Sequence, residues 1–528
     1  MRDRDYDAII IGGGHNGLIL GNYLAKAGLQ TLILERRLEV GGGLSTEEVT
    51  IPGFLHNLHS HFHDTINIMP CYRDLELDKF NARYYRPPVQ AGIALKNGQA
   101  VTMHADMDKT CASIARISPK DARTYREMAE NYGEFMESVV LPALFTQPQL
   151  PASQATVLQG SPEGLDFLRM GRLSPKDVVD EYFENEHVKA LILHQLPVPR
   201  GIVPDYQGLG TVIPLTVSQI EHSQLCIGGS HVLAHALWRA FFANGGMALG
   251  FHHVSKIWIE NGEAKGVETL GGERFRANRL VASAVDLKQT FLELVGKENL
   301  EPEFLRKIQN FKLDEFSLFG VHLALNELPA HTAAKFDSDI DLAFKLNIGL
   351  ETTEDYQTLW SEIRSGKLPE HFGLFCSVPS LYDANQAPKG KYAALIWQPV
   401  PYSLRDGGPE KWDEVKEEYM EACIAKWREY APNITATNIL GKFALSPLDI
   451  ERKLYNMKNG GVFMGRMIQG QLEYFRPVPE LSQFRTPIRN LYLSGSCCHP
   501  GGGIIGAPGF IAANIIAEDY NLKKWWES

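Results

Sequence analysis

Residues 6 to 35 read YDAIIIGGGHNGLILGNYLAKAGLQTLILE. Tyr6 to Ile11 is a short apolar run, as expected of a parallel strand buried on both faces, and it runs directly into Gly12, Gly13, Gly14, His15, Asn16 and Gly17. Leu18 to Ala27 carries apolar residues at helical spacing and stops at Gly28, a natural C-terminal cap. Thr31 to Glu35 predicts a second strand with an acid at its end. A glycine-rich turn could merely join a strand to a helix, but strand, GxGxxG turn, helix and terminal acid at these spacings form a dinucleotide site. Gly12 permits the tight turn, Gly14 lets the backbone approach a pyrophosphate, and Gly17 lets the helix pack closely on the sheet. The first helical N–H groups, with His15 and Asn16 among their residues, face the phosphates. Glu35, 18 residues beyond Gly17, is spaced to accept hydrogen bonds from ribose hydroxyls. This motif alone does not separate FAD from NAD.

The segment that follows does bear on that choice. It reads ERRLEVGGGLSTEE from Glu35, with Arg36 and Arg37 behind the acid and a second glycine cluster at Gly41, Gly42 and Gly43. This resembles the extended FAD signature of the amine-oxidase and phytoene-desaturase superfamily, in which an arginine and a glycine pair follow the ribose acid. Arg37 and Gly41-Gly42 match it. Gly43 stands where amine oxidases often have an arginine, a departure that favours the desaturase branch.

Farther along, Gly228 opens GGSHVLAHALWRAFFANGG, an amphipathic helix between glycine pairs. A strand at Val254 to Ile259, an Asn261-Gly262 hairpin signal, a strand at Ala264 to Thr269 and the run RLVASA follow. The same order occurs in the resembling flavoproteins, where backbone at the position of Val254 meets adenine and a strand like Leu280 to Ser283 returns to the nucleotide domain. Asn490 to Asn514 reads NLYLSGSCCHPGGGIIGAPGFIAAN, a strand, a glycine-dense turn and a helix from about Gly509. The resemblance implies that this block, with Gly495, Ser496, Gly503 and Ile504, holds the flavin end. Together with RPVP at Arg476 to Pro479, these strings resemble most the phytoene-desaturase-like subgroup containing the pyridine nucleotide-disulfide oxidoreductase domain-containing proteins. No CxxC is present, so dithiol chemistry has no residues to run on.

The implied fold class is α/β: a Rossmann-like FAD-binding domain of the GR2 flavoprotein type, built from discontinuous segments, plus an α+β substrate domain. The expected FAD-binding segments are 1–98, 222–288 and 485–528. Residues 99–221 and 289–484, including a helix from Asp121 to Val139, would form the substrate domain. A chain of 528 residues is long enough for two such cores.

Composition narrows the partners. The net charge of -11 argues against nucleic acid and leaves a small organic molecule as the expected ligand. No apolar stretch reaches the roughly 18 residues of a membrane span. The start, MRDRDYD, lacks a signal-peptide pattern and the seven cysteines show no framework, so a cytoplasmic location is expected. The terminal NLKKWWES suits either a docked helix end or subunit contact, as in a homodimer, or peripheral contact with a membrane surface.

Three regions offer chemistry near the expected flavin. His499 lies in the glycine turn, where it either exchanges a proton or orders the turn; phytoene desaturases with this histidine manage without a dedicated acid–base group. His59, His61 and His63 alternate in NLHSHFHD ahead of Asp64, and alternation on a strand places them on one face. The readings are a metal site, a polar pocket wall with one base, or structural hydrogen bonding; the resembling flavoproteins need no metal, and none is expected. Cys497 and Cys498 are expected to pack against the flavin edge rather than link to it or form a strained disulfide. Arg200, Tyr206 and His222 precede the Gly228 helix and are expected to approach substrate, the arginine holding a carboxylate or carbonyl.

FAD is thus the expected cofactor, and the expected activity is a desaturase or dehydrogenase taking hydride and proton across a C–C bond of a small ketone, acid or terpenoid-like molecule. Electrons would pass to oxygen or a quinone. The alternatives are a flavin amine oxidase, a redox-neutral isomerase and a flavin-binding scaffold without catalysis.

Overall fold

The computed structural model describes residues 4–219 and 222–527. Two seven-stranded sheets organise it. The first is built around strand β1 (Arg4–Ile11), which pairs in parallel with Arg274–Ser283 on one side and with strand β2 (Thr31–Leu34) on the other. Met247–Leu249 extends it beyond β2, and Leu491–Leu493 pairs in parallel with Arg274–Ser283. Five parallel strands therefore come from three distant parts of the sequence. Ile9, Ile10, Leu32, Ile33, Val281 and Ala282 are fully buried, as the continuous apolar runs require. The hairpin Val254–Glu260 and Glu263–Thr269 completes the sheet and turns at Asn261 and Gly262, both in the left-handed region.

Helix α1 (His15–Lys26) follows β1 and packs between the helices His231–Ala243 and Ala507–Asp519. The close approach is enforced by glycine. A Cβ on Gly17 would lie 2.1 Å from the Gly12 carbonyl oxygen, and one on Gly509 would lie 2.4 Å from that of Asn16. The last helix begins at Ala507, two residues before the expected start.

The second sheet runs in the order Ile439–Leu445, Ser317–Leu325, Tyr392–Val400, Leu374–Ser377, Lys345–Ile348, Val89–Ala94, Ala100–His104, antiparallel except where Val89–Ala94 meets Lys345–Ile348. Side chains alternate across it. Phe375, Leu395 and Trp397 face a core shared with the helices Pro119–Phe135, Glu186–His194 and Val212–Gln219. Cys376 and Ile396 face the helix Trp412–Arg428. Because Val89–Ala94 belongs to this sheet, we propose a first domain boundary ahead of Val89 instead of at 98. The expected boundary at 221 falls outside the described residues.

Trp525 stacks on Tyr23 at 5.2 Å, Trp526 meets the same ring edge-on at 4.9 Å, and the Trp526 indole N–H donates to the Asn514 side chain. The aromatic end of the chain is thus docked on the nucleotide domain. Among the described residues, no helix is long and apolar enough to cross a membrane.

Candidate cofactor cleft and substrate cavity

The two glycine clusters predicted from sequence meet at the carboxyl ends of β1 and β2, where ligands bind in such sheets. Gly41 N–H donates to the Gly13 carbonyl at 2.7 Å, and Gly14 bridges to Gly41. The Glu35 carboxylate clamps the turn, one oxygen accepting from Gly13 N–H at 2.8 Å and the other from Arg37 N–H at 2.9 Å. A carboxylate has about four acceptor sites, so two remain for hydroxyls. Arg36 donates to the Lys453 carbonyl at 2.7 Å, which draws residues 453–456 over the cleft. Arg37 approaches Glu47 at 3.9 Å.

One cavity contains Gly12, Glu35, Arg36, Arg37, Val254, Val285 and Tyr455; a larger one, of about 270 Å³, contains His15, Asn16, Gly43, Ser496, Gly503 and Ile504. Gly14, Gly42, Ala284 and Asn456 line both, so the two cavities adjoin. Its residues fit a dinucleotide. Helix α1 has no side-chain cap, which leaves its first N–H groups for phosphate. A Cβ on Gly14 would meet nothing within 4 Å, so the space a side chain would fill is open to a ligand. His15 Nε2 is buried without a partner, and burial lowers its pKa to about 4. At the other end, Asn16 ties α1 to Ser496 Oγ at 3.0 Å and to Gly509 N–H at 3.3 Å. Gly495 closes the turn below, where a Cβ would strike the Val285 carbonyl at 2.8 Å.

The larger cavity extends past the glycine turn between the two sheets. Leu141, Leu144, Val198, Ile202, Val212, Leu215, Leu318, Trp397 and Phe463 make its wall apolar. His59, His61 and His63 all line it, with Asp64 and Arg200. Burial lowers each of the three imidazoles to about 3, so they are neutral. Their surroundings differ. His63 is fixed through both nitrogens, by Ser60 Oγ at 3.1 Å and the Tyr84 hydroxyl at 2.7 Å. His61 sits among aromatic rings, 4.6 Å from Phe344 and 6.1 Å from Trp397, beside the Phe344 backbone. His59 has both ring nitrogens buried and unpartnered.

The other expected residues divide. His499 is buried and does not line the cavity; its Nε2 hydrogen-bonds the Ala143 carbonyl at 3.1 Å, which ties the glycine turn to the 141–144 segment. Cys497 and Cys498 are buried free thiols, Cys497 Sγ lying 3.8 Å from the Val285 carbonyl. Arg200 reaches the cavity, whereas Tyr206 and His222 are outside its lining. Tyr206 lies instead under the Arg364 guanidinium, 5.8 Å from the ring centre.

Two contributors were not singled out from sequence. One is the strip 453–457, whose Asn456 and Met457 line the cavity. The other is Arg476, noted only within RPVP. Its fully buried guanidinium donates to the carbonyls of Phe463 at 3.1 Å, Ser496 at 3.3 Å and Cys498 at 3.3 Å, pinning the 462–467 wall to the glycine turn.

Residues 10–75 match the NAD(P)-binding Rossmann-like domain family. The chain is 33% identical over 98% of its length to a limonene dehydrogenase chain of Castellaniella defragrans, of which it covers 96%. It is 31% identical over 98% of its length to pyridine nucleotide-disulfide oxidoreductase domain-containing protein 2 of Rattus norvegicus, covering 94%, and 26% identical over 95% to a lycopene-forming phytoene desaturase of a Paracoccus strain, covering 95%. In fold it is similar to a putrescine oxidase variant, with a TM-score of 0.62 at 15% identity over 99% of this chain and 100% of the other.

Proposed function

The chain belongs to the oxidoreductase family of the Castellaniella limonene dehydrogenase chain and pyridine nucleotide-disulfide oxidoreductase domain-containing protein 2, and on that premise we propose an FAD-dependent dehydrogenase or desaturase acting on a C–C bond of a small, largely apolar molecule. The observation that carries the reading is the adjoining of the cavity at Glu35 to the one at Gly503, whose farther wall is apolar and carries neutral histidines. When bound, FAD supplies the hydride acceptor. Glu35 and the uncapped turn of α1 would hold ribose and pyrophosphate, with Arg36, Arg37, Gly41 to Gly43 and Val254 around them. Ser496, Gly503 and Ile504 would flank the flavin end.

The apolar wall excludes water and orients substrate. His59 takes up the proton lost from the carbon beside the one that gives hydride: its two ring nitrogens are unengaged, as are those of His61, but His59 stands beside Gly43 of the cofactor cleft whereas His61 is enclosed by the Phe344 and Trp397 rings. Burial, with the nearby charges of Lys453 and Arg37, lowers it to about 3 and keeps it neutral, in the form that accepts a proton. Oxygen or a quinone would be the final acceptor of the electrons. Amine oxidases commonly frame the flavin with an aromatic pair; the neighbours Tyr474 and Phe475 contact each other edge-on and do not line the cavity, so they do not supply one.

The test is the anaerobic visible spectrum of the purified protein before and after cyclic ketones, acids, terpenoids, amines and polyenes. Bleaching of a flavin band by a non-amine, with a product two hydrogens lighter, supports the proposal. A product of unchanged mass identifies an isomerase, flavin that nothing reduces identifies a scaffold, and absence of flavin overturns the reading.

A further inference from the structure

Arg200 stands on the cavity wall with its charge unmatched by any contact. Its Nε is buried without a partner, and no hydrogen bond or ion pair involves its guanidinium among the described residues. The carboxylate in its surroundings is Asp64, which lines the same cavity and acts on Arg200 through its field. Asp64 is held back from closing on it. Its Oδ1 accepts from the Ser223 hydroxyl at 2.5 Å, and Ser223 Oγ accepts from Lys345 Nζ at 2.7 Å. Ser223 is itself fixed, its N–H donating to Gln90 Oε1 at 2.9 Å and its carbonyl accepting from Gln90 Nε2 at 3.1 Å.

The charges do not cancel. His61, His63 and His194, which also feel this cluster, are kept neutral by burial. Lys345, although burial lowers it to about 8, keeps its proton at neutral pH. Two cations therefore face one carboxylate, and the surplus positive charge resides on the group whose forked donors are all free. The residue is half-buried with its Nε cut off from solvent, so a partner is needed to complete it, and a guanidinium is matched by the two oxygens of a carboxylate.

We propose that Arg200, backed by Asp64, Ser223 and Lys345, forms a carboxylate subsite, and that the substrate is an otherwise apolar acid with one carboxylate. That the bound acid is a substrate rests on the dehydrogenase reading above; that it is an acid rests on the arrangement of charges. The same wall leads to the cofactor turn. A Cβ on Gly201 would strike the Phe463 ring at 2.5 Å, one on Gly502 would strike Phe463 Cα at 2.4 Å, and Thr65 Oγ1 donates to the Ile504 carbonyl at 3.4 Å. An acid anchored at Arg200 thus projects its apolar body along the cavity toward Gly502 and Ile504.

The experiment titrates flavin-loaded protein, without oxygen, with cyclohexanecarboxylate, its amide and its methyl ester, following the shift of the flavin band. The acid is expected to bind at least about 30-fold more tightly than either neutral analogue. Arg200→Met should abolish that preference with flavin content unchanged, and Arg200→Lys should restore part of it. Equal or absent binding of the three probes by the unaltered protein overturns the subsite without need of any variant. Partial loss of flavin from Arg200→Met, with the acid preference intact in the fraction that keeps it, assigns the guanidinium to the cofactor and also overturns it. Preferred binding of acids, none of which reduces the flavin, leaves the subsite standing and removes the dehydrogenase reading; reduction by a neutral molecule with no acid preference does the reverse.

Discussion

Acid should unfold this protein because its interior holds histidines that cannot accept protons while folded. Burial lowers His15, His56 and His499 to about 4, and His59, His61, His63 and His194 to about 3, from an ordinary value of 6.5. The unfolded chain binds protons at these seven positions below pH 6.5 and the folded chain does not. Their contribution to stability is therefore whole above about pH 6.5 and is lost as the pH falls toward about 4. At pH 5.5, one unit below the ordinary value, each group costs about 1.4 kcal/mol, and the seven together about 10 kcal/mol. That is comparable to the ~5–15 kcal/mol that typically separates folded from unfolded protein. With an unfolding entropy of about 2.1 cal/mol/K per residue, a chain of 528 residues loses about 1 °C per kcal/mol, so Tm should drop by about 10 °C between pH 7.5 and 5.5. Calorimetry of the flavin-loaded protein measures it. His61→Leu should shorten the drop by about one seventh. A Tm that moves by less than about 2 °C over this range would refute the assignment of these histidines as buried and neutral.

Three further outcomes follow from the cleft. Gly14→Ala should fold normally, because its Cβ meets nothing, yet lose flavin on gel filtration; Gly17→Ala, whose Cβ lies 2.1 Å from the Gly12 carbonyl oxygen, should fail to yield stable protein. His59→Ala should keep its flavin and bind substrate while turnover falls by about 10²–10⁴-fold, read by stopped-flow flavin reduction. Arg476→Met strips the carbonyls of Phe463, Ser496 and Cys498 of a buried donor and should cost about 3–5 kcal/mol in denaturant unfolding, with the flavin spectrum broadened as the turn loosens.

What the sequence determined lies close together along the chain. The strand, glycine turn, helix and acid of residues 6–35 are fixed by local physics: apolar periodicity, the conformational freedom of Gly12 at φ +99°, and the absence of a Cβ at Gly17. The Asn261-Gly262 hairpin was legible for the same reason, since turn chemistry acts between near neighbours; His59, His61 and His63 reach one cavity without the strand that their alternation suggested. Tertiary structure decided the rest. It drew residues 453–457 over the nucleotide cleft through Arg36, and placed Val89–Ala94 in the second sheet through pairing with Lys345–Ile348. It also turned His499 to the Ala143 carbonyl and away from the cavity, while leaving Arg200 open beside a carboxylate that Ser223 and Lys345 restrain. Each of these depends on which partners surround a side chain once distant segments pack, and burial in that packing sets the charge of every histidine at the site. Composition and spacing carry no record of such partners, so the cofactor cleft could be read from the residues while the chemistry of the cavity wall required the fold.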